Sequence, residues 1–231
     1  MKKVAAIIVA GGSGKRMGTT TKKQYILLDG KEVLAHTIKV FNELKEIDEV
    51  ILVVGKEDID KVKCEIVEKY GYSKVSKIVA GGQERQDSVY NGLMATDKEV
   101  GYVMIHDGAR PFVTAETLKS ALKETKEKKA TVVAVPVKDT IKLVNKDTME
   151  VEQTPERERL WSVQTPQSFE KELLLQAYTY AKENQLKVTD DSMIVEAFGH
   201  TVQVVMGEYT NIKITTPDDL AIGESILKNN K

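Results

Sequence analysis

Apolar, β-branched runs at residues 4–10, 50–54, 75–79, 102–106, 131–137 and 202–206 alternate with segments whose apolar residues recur every three to four positions. A run that is apolar at nearly every position is a strand covered on both faces, so the chain is restricted to an α/β sandwich with a mainly parallel sheet between helical layers. Val33, Leu34, Ile38, Phe41 and Leu44 mark one helix, and Ile59, Val62, Ile66, Val67 and Tyr70 a second. A third follows Thr114 through Leu118, Ala121 and Leu122. A fourth has Thr216 as N-cap, Pro217 at its first position, and Asp218 and Asp219 in the first turn, where free amides and the helix dipole favour negative charge. Residues 139–163 break the alternation. Within them, 141–144 and 149–151 flank the turn-like Asn145-Lys146-Asp147 and predict a hairpin with polar faces. A lone two-stranded ribbon is marginal in water, so this arm needs another surface to lean on.

Sheets of this kind bind ligands at the carboxyl ends of their strands. The first strand runs into Ala10-Gly11-Gly12-Ser13-Gly14-Lys15-Arg16-Met17-Gly18, where glycines let the backbone turn and bring amides close to an anion. Two familiar phosphate loops are not met. A dinucleotide fingerprint needs glycine where Met17 stands, and a Walker A loop needs glycine at Val9 and Ser or Thr at Arg16. What remains is a phosphate cradle of Gly11, Gly12 and Gly14, followed by Lys15, Arg16, Lys22 and Lys23, a density of positive charge suited to a triphosphate. Polar clusters also follow later strands: residues 81–88, residues 106–111, Asp139-Thr140, and Asn211-Ile212-Lys213. Any one reads equally as an ordinary turn. Together, at one sheet edge, they are what a nucleotide and a second polar substrate require.

The 231-residue chain is long enough for one large domain with an appendage, and its 41% hydrophobic content argues against disorder. A formal net charge of −1 argues against coating nucleic acid or an anionic membrane. The longest unbroken apolar run, residues 4–10, is far shorter than the roughly 18 residues of a membrane span, and no cleavage pattern follows it. The expectation is a cytoplasmic protein. One cysteine and three histidines leave little for disulfide or Cys-rich zinc chemistry. His106, at a strand end, reads as a hydrogen-bonded positioning residue, and His36 and His200 as structural.

At this point the residues resemble a known family. AAIIVAGGSGKRMG with KKQY after it, GGQERQDSVYNGL, HDGARPFV, DTIK, TPERERLWSVQTPQSF, TDDSMIVEAFG and GEYTNIKITTPDDL form an ordered set from residue 5 to 220. The set resembles the sugar-phosphate cytidylyltransferases among the nucleotidyltransferases. The resemblance implies a single Rossmann-like domain over 1–231, a three-layer sandwich with a mainly parallel mixed sheet and residues 139–163 as a protruding dimerisation arm. It implies CTP and a polyol phosphate as substrates, 2-C-methyl-D-erythritol 4-phosphate first and ribitol 5-phosphate second, with Mg2+ or another divalent cation and a homodimer. Arg16, Lys23, Lys213 and Arg157 would be catalytic, with Lys15 assisting at the triphosphate. Ala10, Gly11, Gly82, Gln83 and Ser88 would read the cytosine and ribose, and Arg85 would brace that loop. Asp107 would place the metal or a polyol hydroxyl, and Arg110, Thr140, Arg157, Thr165, Thr189 and Lys213 would hold the polyol phosphate. Lys22 stands where the family usually has proline; this makes the loop less rigid and adds a charge beside Lys23. The two readings outside the family, a dinucleotide-dependent oxidoreductase and an idle nucleotide-binding module, are opposed by Met17 and by the joint presence of Arg16, Lys23 and Lys213.

Overall fold

The structure is a computed structural model that describes residues 2–12 and 22–229. In chain order the strands are β1 (Lys3–Val9), β2 (Leu27–Leu28), β3 (Lys31–Glu32), β4 (Glu49–Val54), β5 (Val75–Ala80), β6 (Val100–Asp107), β7 (Ala130–Pro136), β8 (Leu143–Val144), β9 (Val151–Gln153), β10 (Trp161–Glu170) and β11 (Gln203–Met206). The helices are α1 (Val33–Glu43), α2 (Ile59–Val62, continued by a π-helical turn over Lys63–Glu68), α3 (Arg85–Ala95), α4 (Ala115–Lys128), α5 (Lys171–Glu183), α6 (Asp191–Ala197) and α7 (Pro217–Asn229).

Among the described residues, seven strands form one sheet in the order β11-β7-β10-β6-β1-β4-β5. β1 pairs in parallel with both β4 and β6, and β11 with β7, whereas β10 runs antiparallel to both its neighbours. The apolar runs explain the layers. Ala6 and Ile8 face α1, α2 and α4 through Leu34, Ile38, Phe41, Val62, Ile66 and Leu118. Ala5 and Ile7 face α3 and α5 through Val89, Leu93, Leu174 and Ala177. A strand buried on both sides has no polar face, which is why the runs read as continuous. The Thr114 cap is present, its hydroxyl accepting from the Thr117 amide. Asp219 likewise accepts from the amides of Thr215 and Thr216 at the start of α7.

β10 was not expected. Its inner stretch, residues 164–169, is buried throughout but mostly polar, so hydrophobic periodicity does not mark it. The arm is correspondingly shorter than 139–163: Trp161, Ser162 and Val163 pair with β7 inside the main sheet. The hairpin itself is β8 against β9, and its turn is tied by Asn145, whose side-chain oxygen accepts from the amides of Asp147 and Thr148. α5 was also not anticipated, although Leu173, Leu174, Ala177, Tyr178 and Ala181 carry a helical spacing.

The strand order places the topological switch at β1 and β6, whose carboxyl ends open the crevice where ligands bind in such sheets. The edge is laced by main-chain bonds from Ala10 to Val53, Gly81 to Val54 and Gly108 to Val9, at 2.7–2.9 Å.

Candidate active site

A cavity of about 220 Å³ lies at that switch point, lined by Ala10, Gly11 and Gly12 after β1, Lys23 and Gln24, residues 82–85 and Ser88 at the start of α3, Asp107 and Ala109 after β6, and Lys213. A second cavity of about 460 Å³ adjoins it, lined by Arg110, residues 135–139, Ile141, Ser162, Gln164, Tyr209, Asn211, Ile212 and again Lys213. Lys213 is the residue the two linings share.

Each wall follows from its local sequence. Gln24 is buried, and its side-chain amide donates to the carbonyls of Ala10 (2.7 Å) and Gly12 (3.2 Å), fixing the start of the glycine loop. Among the described residues a Cβ on Gly12 would meet nothing within 4 Å, whereas a Cβ on Gly82 would lie 2.2 Å from Asp87 Cβ, so Gly82 is required by the packing of α3. α3 begins with a capping box: the Glu84 amide donates to Asp87 Oδ2 at 3.0 Å. The Ser88 hydroxyl accepts from the Gly82 amide and donates to the Glu84 carbonyl, both at 3.1 Å, so it shapes this loop. The Ala10 amide is likewise taken by Val53, leaving Ala10 to supply an apolar wall.

The floor is an ionic cluster centred on Asp107. Lys213 Nζ lies 2.7 Å from its Oδ2, Arg110 Nε 3.5 Å from the same oxygen, and Arg85 Nε 3.6 Å from Oδ1. These cations overcome burial and hold the Asp107 carboxyl well below the usual carboxylate range. Arg110 is fixed in turn, Nη1 donating to the Asn211 carbonyl at 2.8 Å. Behind the floor, Thr165 accepts from the Asp107 amide at 3.1 Å and gives its own proton to His106 Nδ1 at 2.9 Å. That leaves His106 Nε2–H to donate to the Arg110 carbonyl at 3.1 Å, a neutral tautomer, and burial pushes the imidazole down to about 4. His106 therefore positions, as expected.

The expected site residues divide accordingly. Ala10, Gly11, Gly12, Lys23, Gly82, Gln83, Ser88, Asp107 and Lys213 line the first cavity, and Arg110 and Lys213 the second. Gly14, Lys15 and Arg16 lie outside the described residues. Thr165 lines neither cavity: it is buried behind the wall, its hydroxyl bonded to His106 and to the Asp107 amide. Thr140, Arg157 and Thr189 line neither cavity. Arg157 instead donates to the Lys138 carbonyl at 3.3 Å, and Thr189 is an exposed residue just ahead of α6. Lys22 also differs from expectation. Its ammonium pairs with Glu57 and with Asp58 Oδ2 (2.7 Å), so its charge is matched and this end of the loop is tied to the segment after β4. Its φ of −60° is one that proline would also adopt. Arg85 is expected only as a brace for its loop, and Gln24, Gln164 and Asn211 carry no expected role; all four stand inside the quoted motifs, and their contacts place them at the site.

Among the described residues, no three His, Cys, Asp or Glu side chains converge as a metal cage. The ionised Asp107 carboxylate, beside the glycines that follow β1, would suit a hard cation that arrives with phosphates and keeps phosphate and water oxygens as its other ligands. Among the described residues, no helix is long and apolar enough to cross a membrane.

Comparison with known proteins agrees with this geometry. The family model for 2-C-methyl-D-erythritol 4-phosphate cytidylyltransferase (IspD) matches residues 4–229. Curated relatives bearing that name include one from Alkaliphilus oremlandii, 53% identical over 99% of this chain and 96% of the relative. Another, from Clostridioides difficile, is 52% identical over 98% and 94%. Among solved structures, the 4-diphosphocytidyl-2C-methyl-D-erythritol synthase of Anaerococcus prevotii aligns with a TM-score of 0.86 at 38% identity, covering 98% of this chain and 99% of that one. The Thermus thermophilus 2-C-methyl-D-erythritol 4-phosphate cytidylyltransferase aligns at 0.80 with 29% identity, covering 98% and 99%. With sequence and fold in agreement over residues 4–229, the chain belongs to the 2-C-methyl-D-erythritol 4-phosphate cytidylyltransferase family.

Proposed function

We propose that this chain transfers the cytidylyl group of CTP to 2-C-methyl-D-erythritol 4-phosphate, giving CDP-methylerythritol and pyrophosphate in non-mevalonate isoprenoid biosynthesis. Ribitol 5-phosphate, the second acceptor considered, is not favoured by the names of the relatives. The observation that carries the reading is Lys213, which lines both cavities and sits 2.7 Å from Asp107. An ammonium in that position can face the α-phosphate from one side and the acceptor phosphate from the other.

An oxygen of the acceptor's phosphate monoester attacks the α-phosphorus. The bond from that phosphorus to the bridging oxygen breaks, and its electron pair leaves with pyrophosphate. The nucleophile is already anionic near neutral pH, since its second pKa is about 6, so no side chain need remove a proton. The neutral, buried His106 agrees with that. The work is electrostatic: two anions are brought into line, and charge growing on the α-phosphate and the departing group is stabilised. Lys23 and Arg16 serve the triphosphate, Gly11, Gly12 and Gly14 the phosphate cradle, and Arg110 the acceptor. Ala10, Gly82 and Gln83 would read the cytosine and ribose. Asp107 would hold Mg2+, which when bound neutralises triphosphate charge. Thr140, Arg157 and Thr189 complete the acceptor site across a homodimer, Arg157 acting in the partner's crevice. Exposed apolar side chains on the arm, among them Leu143, Met149 and Val151, support such an interface. The cytoplasm is the proposed compartment.

Pyrophosphate release from CTP, Mg2+ and either methylerythritol phosphate or ribitol phosphate tests the reading. Turnover with the first acceptor well above the second is expected. Absence of release with both would overturn it.

A further inference from the structure

Arg85 is the cation of the floor that lies between two carboxylates. Its Nη1 lies 2.7 Å from Asp191 Oδ2, while its Nε stands 3.6 Å from Asp107 Oδ1, beyond hydrogen-bond reach. Asp191 is fully buried, and burial pushes its carboxyl up despite the guanidinium. It is held by two elements, α5 and β10. The Tyr178 hydroxyl from α5 donates to its Oδ1 at 2.8 Å. Gln167 of β10 accepts from the amides of Asp191 and Ser192 at 2.9 and 3.0 Å. The same Gln167 donates to Asp190, which also accepts from the Met193 amide at 2.9 Å. A buried ion pair rarely gains stability over apolar packing of the same volume, because removing both charges from water costs more than their attraction returns. A carboxylate held this way is better accounted for by what it does to Arg85.

We infer that Asp191, steadied by Tyr178, is a positioning residue for cytidylyl transfer: it holds the Arg85 guanidinium in the wall of the nucleotide cavity and off the Asp107 carboxylate. The inference rests on the proposed reaction. If Arg85 were released from Asp191, the nearest anion is Asp107 Oδ1, the oxygen that Lys213 does not occupy. Closing that gap would neutralise the carboxylate on both oxygens and withdraw a cation from the cavity wall. Asp191 thus keeps the Arg85–Asp107 pair at 3.6 Å from closing to direct contact.

The test is a double-mutant cycle of Asp191→Asn and Arg85→Gln, reading kcat with both substrates and, separately, CTP affinity by calorimetry. Asp191→Asn keeps the shape and a hydrogen-bond acceptor for Tyr178 while removing the charge. The expected result is a loss of about tenfold or more in kcat and weaker CTP binding for each single variant, with the double variant no worse than Arg85→Gln alone. Losses that multiply in the double variant would overturn the inference, as would an Asp191→Asn protein with lowered melting temperature but unchanged kcat and affinity. Should Asp191→Asn fail to fold, Tyr178→Phe takes its place: a loss of a few-fold in the native background that vanishes in Arg85→Gln supports the inference, and an equal loss in both backgrounds refutes it. A wild-type protein with no turnover at all would instead remove the proposed reaction, while the calorimetric arm would still decide the coupling of Asp191 to Arg85.

Discussion

The floor of the crevice and the hairpin arm are built on opposite terms. At the floor, Asp107, Arg85, Arg110, Lys213 and Asp191 are interlocked, and their supports, Thr165, Gln167, His106 and Asn211, are buried with their side chains bonded to one another or to the main chain. On the arm, β8 and β9 are short, wholly exposed strands, and Met149 is 76% exposed. Charge at the floor is fixed in advance by the fold of one chain, so in the proposed reaction it would need no rearrangement as charge develops in the transition state. The arm makes few commitments within its own chain, which is the condition for a surface completed by another.

The contrast is broken most sharply by removing a floor cation. Lys213→Ala should lower kcat on the order of 10²–10³-fold with a smaller change in the KM for CTP, since a contact made mainly in the transition state affects turnover. Lys23→Ala should behave in the same way. Steady-state kinetics with both substrates check this, and a rise in KM alone would show uniform binding instead. The arm is probed by complementation. Arg157→Ala should be nearly inactive alone, yet mixed with Lys213→Ala in equal amounts it should regain about a quarter of the wild-type sites, because half of the exchanged dimers are mixed and each carries one intact site. No recovery after proven subunit exchange would place Arg157 in its own chain's crevice, where it already touches Lys138.

Two smaller effects sharpen the same comparison in stability. The folded protein keeps His106 neutral down to about 4, while the unfolded chain protonates it near 6.5. Between those values the unfolded state binds more protons, so stability falls on acidification through that window, by up to about 3 kcal/mol. Burial shifts His36 in the same direction. His106→Gln, which keeps a donor for the Arg110 carbonyl, should flatten part of this dependence in urea titrations at pH 7.5, 5.5 and 4.5. At the arm, Met149→Ser should change monomer stability by no more than about 0.5 kcal/mol, the usual range for exposed positions. A larger loss that depends on protein concentration would show that Met149 is covered in an assembly.

The two regions were also unequally legible from sequence. β1, β4 and β6 announce themselves because a strand between two helical layers must be apolar on both faces. The glycine loop does so because only glycine lets the backbone approach a ligand. β10 carried no such mark: residues such as Gln164, Thr165 and Gln167 are buried for their hydrogen bonds, and polar residues buried for bonding look like loop in a hydropathy pattern. The same strand shortens the arm at Trp161. Lys22, read alone, looked like a surplus charge that loosened the loop; its partners Glu57 and Asp58 are more than thirty residues away in sequence.

By itself, then, the order of residues determined the layered α/β architecture and the sheet edge at which the polar clusters gather, because periodicity and the placement of glycine and polar residues are local properties of the chain. Only the tertiary structure decided which ionisable groups meet. Asp107, Arg85, Asp191 and Lys213 come from four separate segments, and whether a charge is a ligand contact, a brace or a solvated end depends on Coulomb interactions at a few ångströms, a distance that the sequence does not contain.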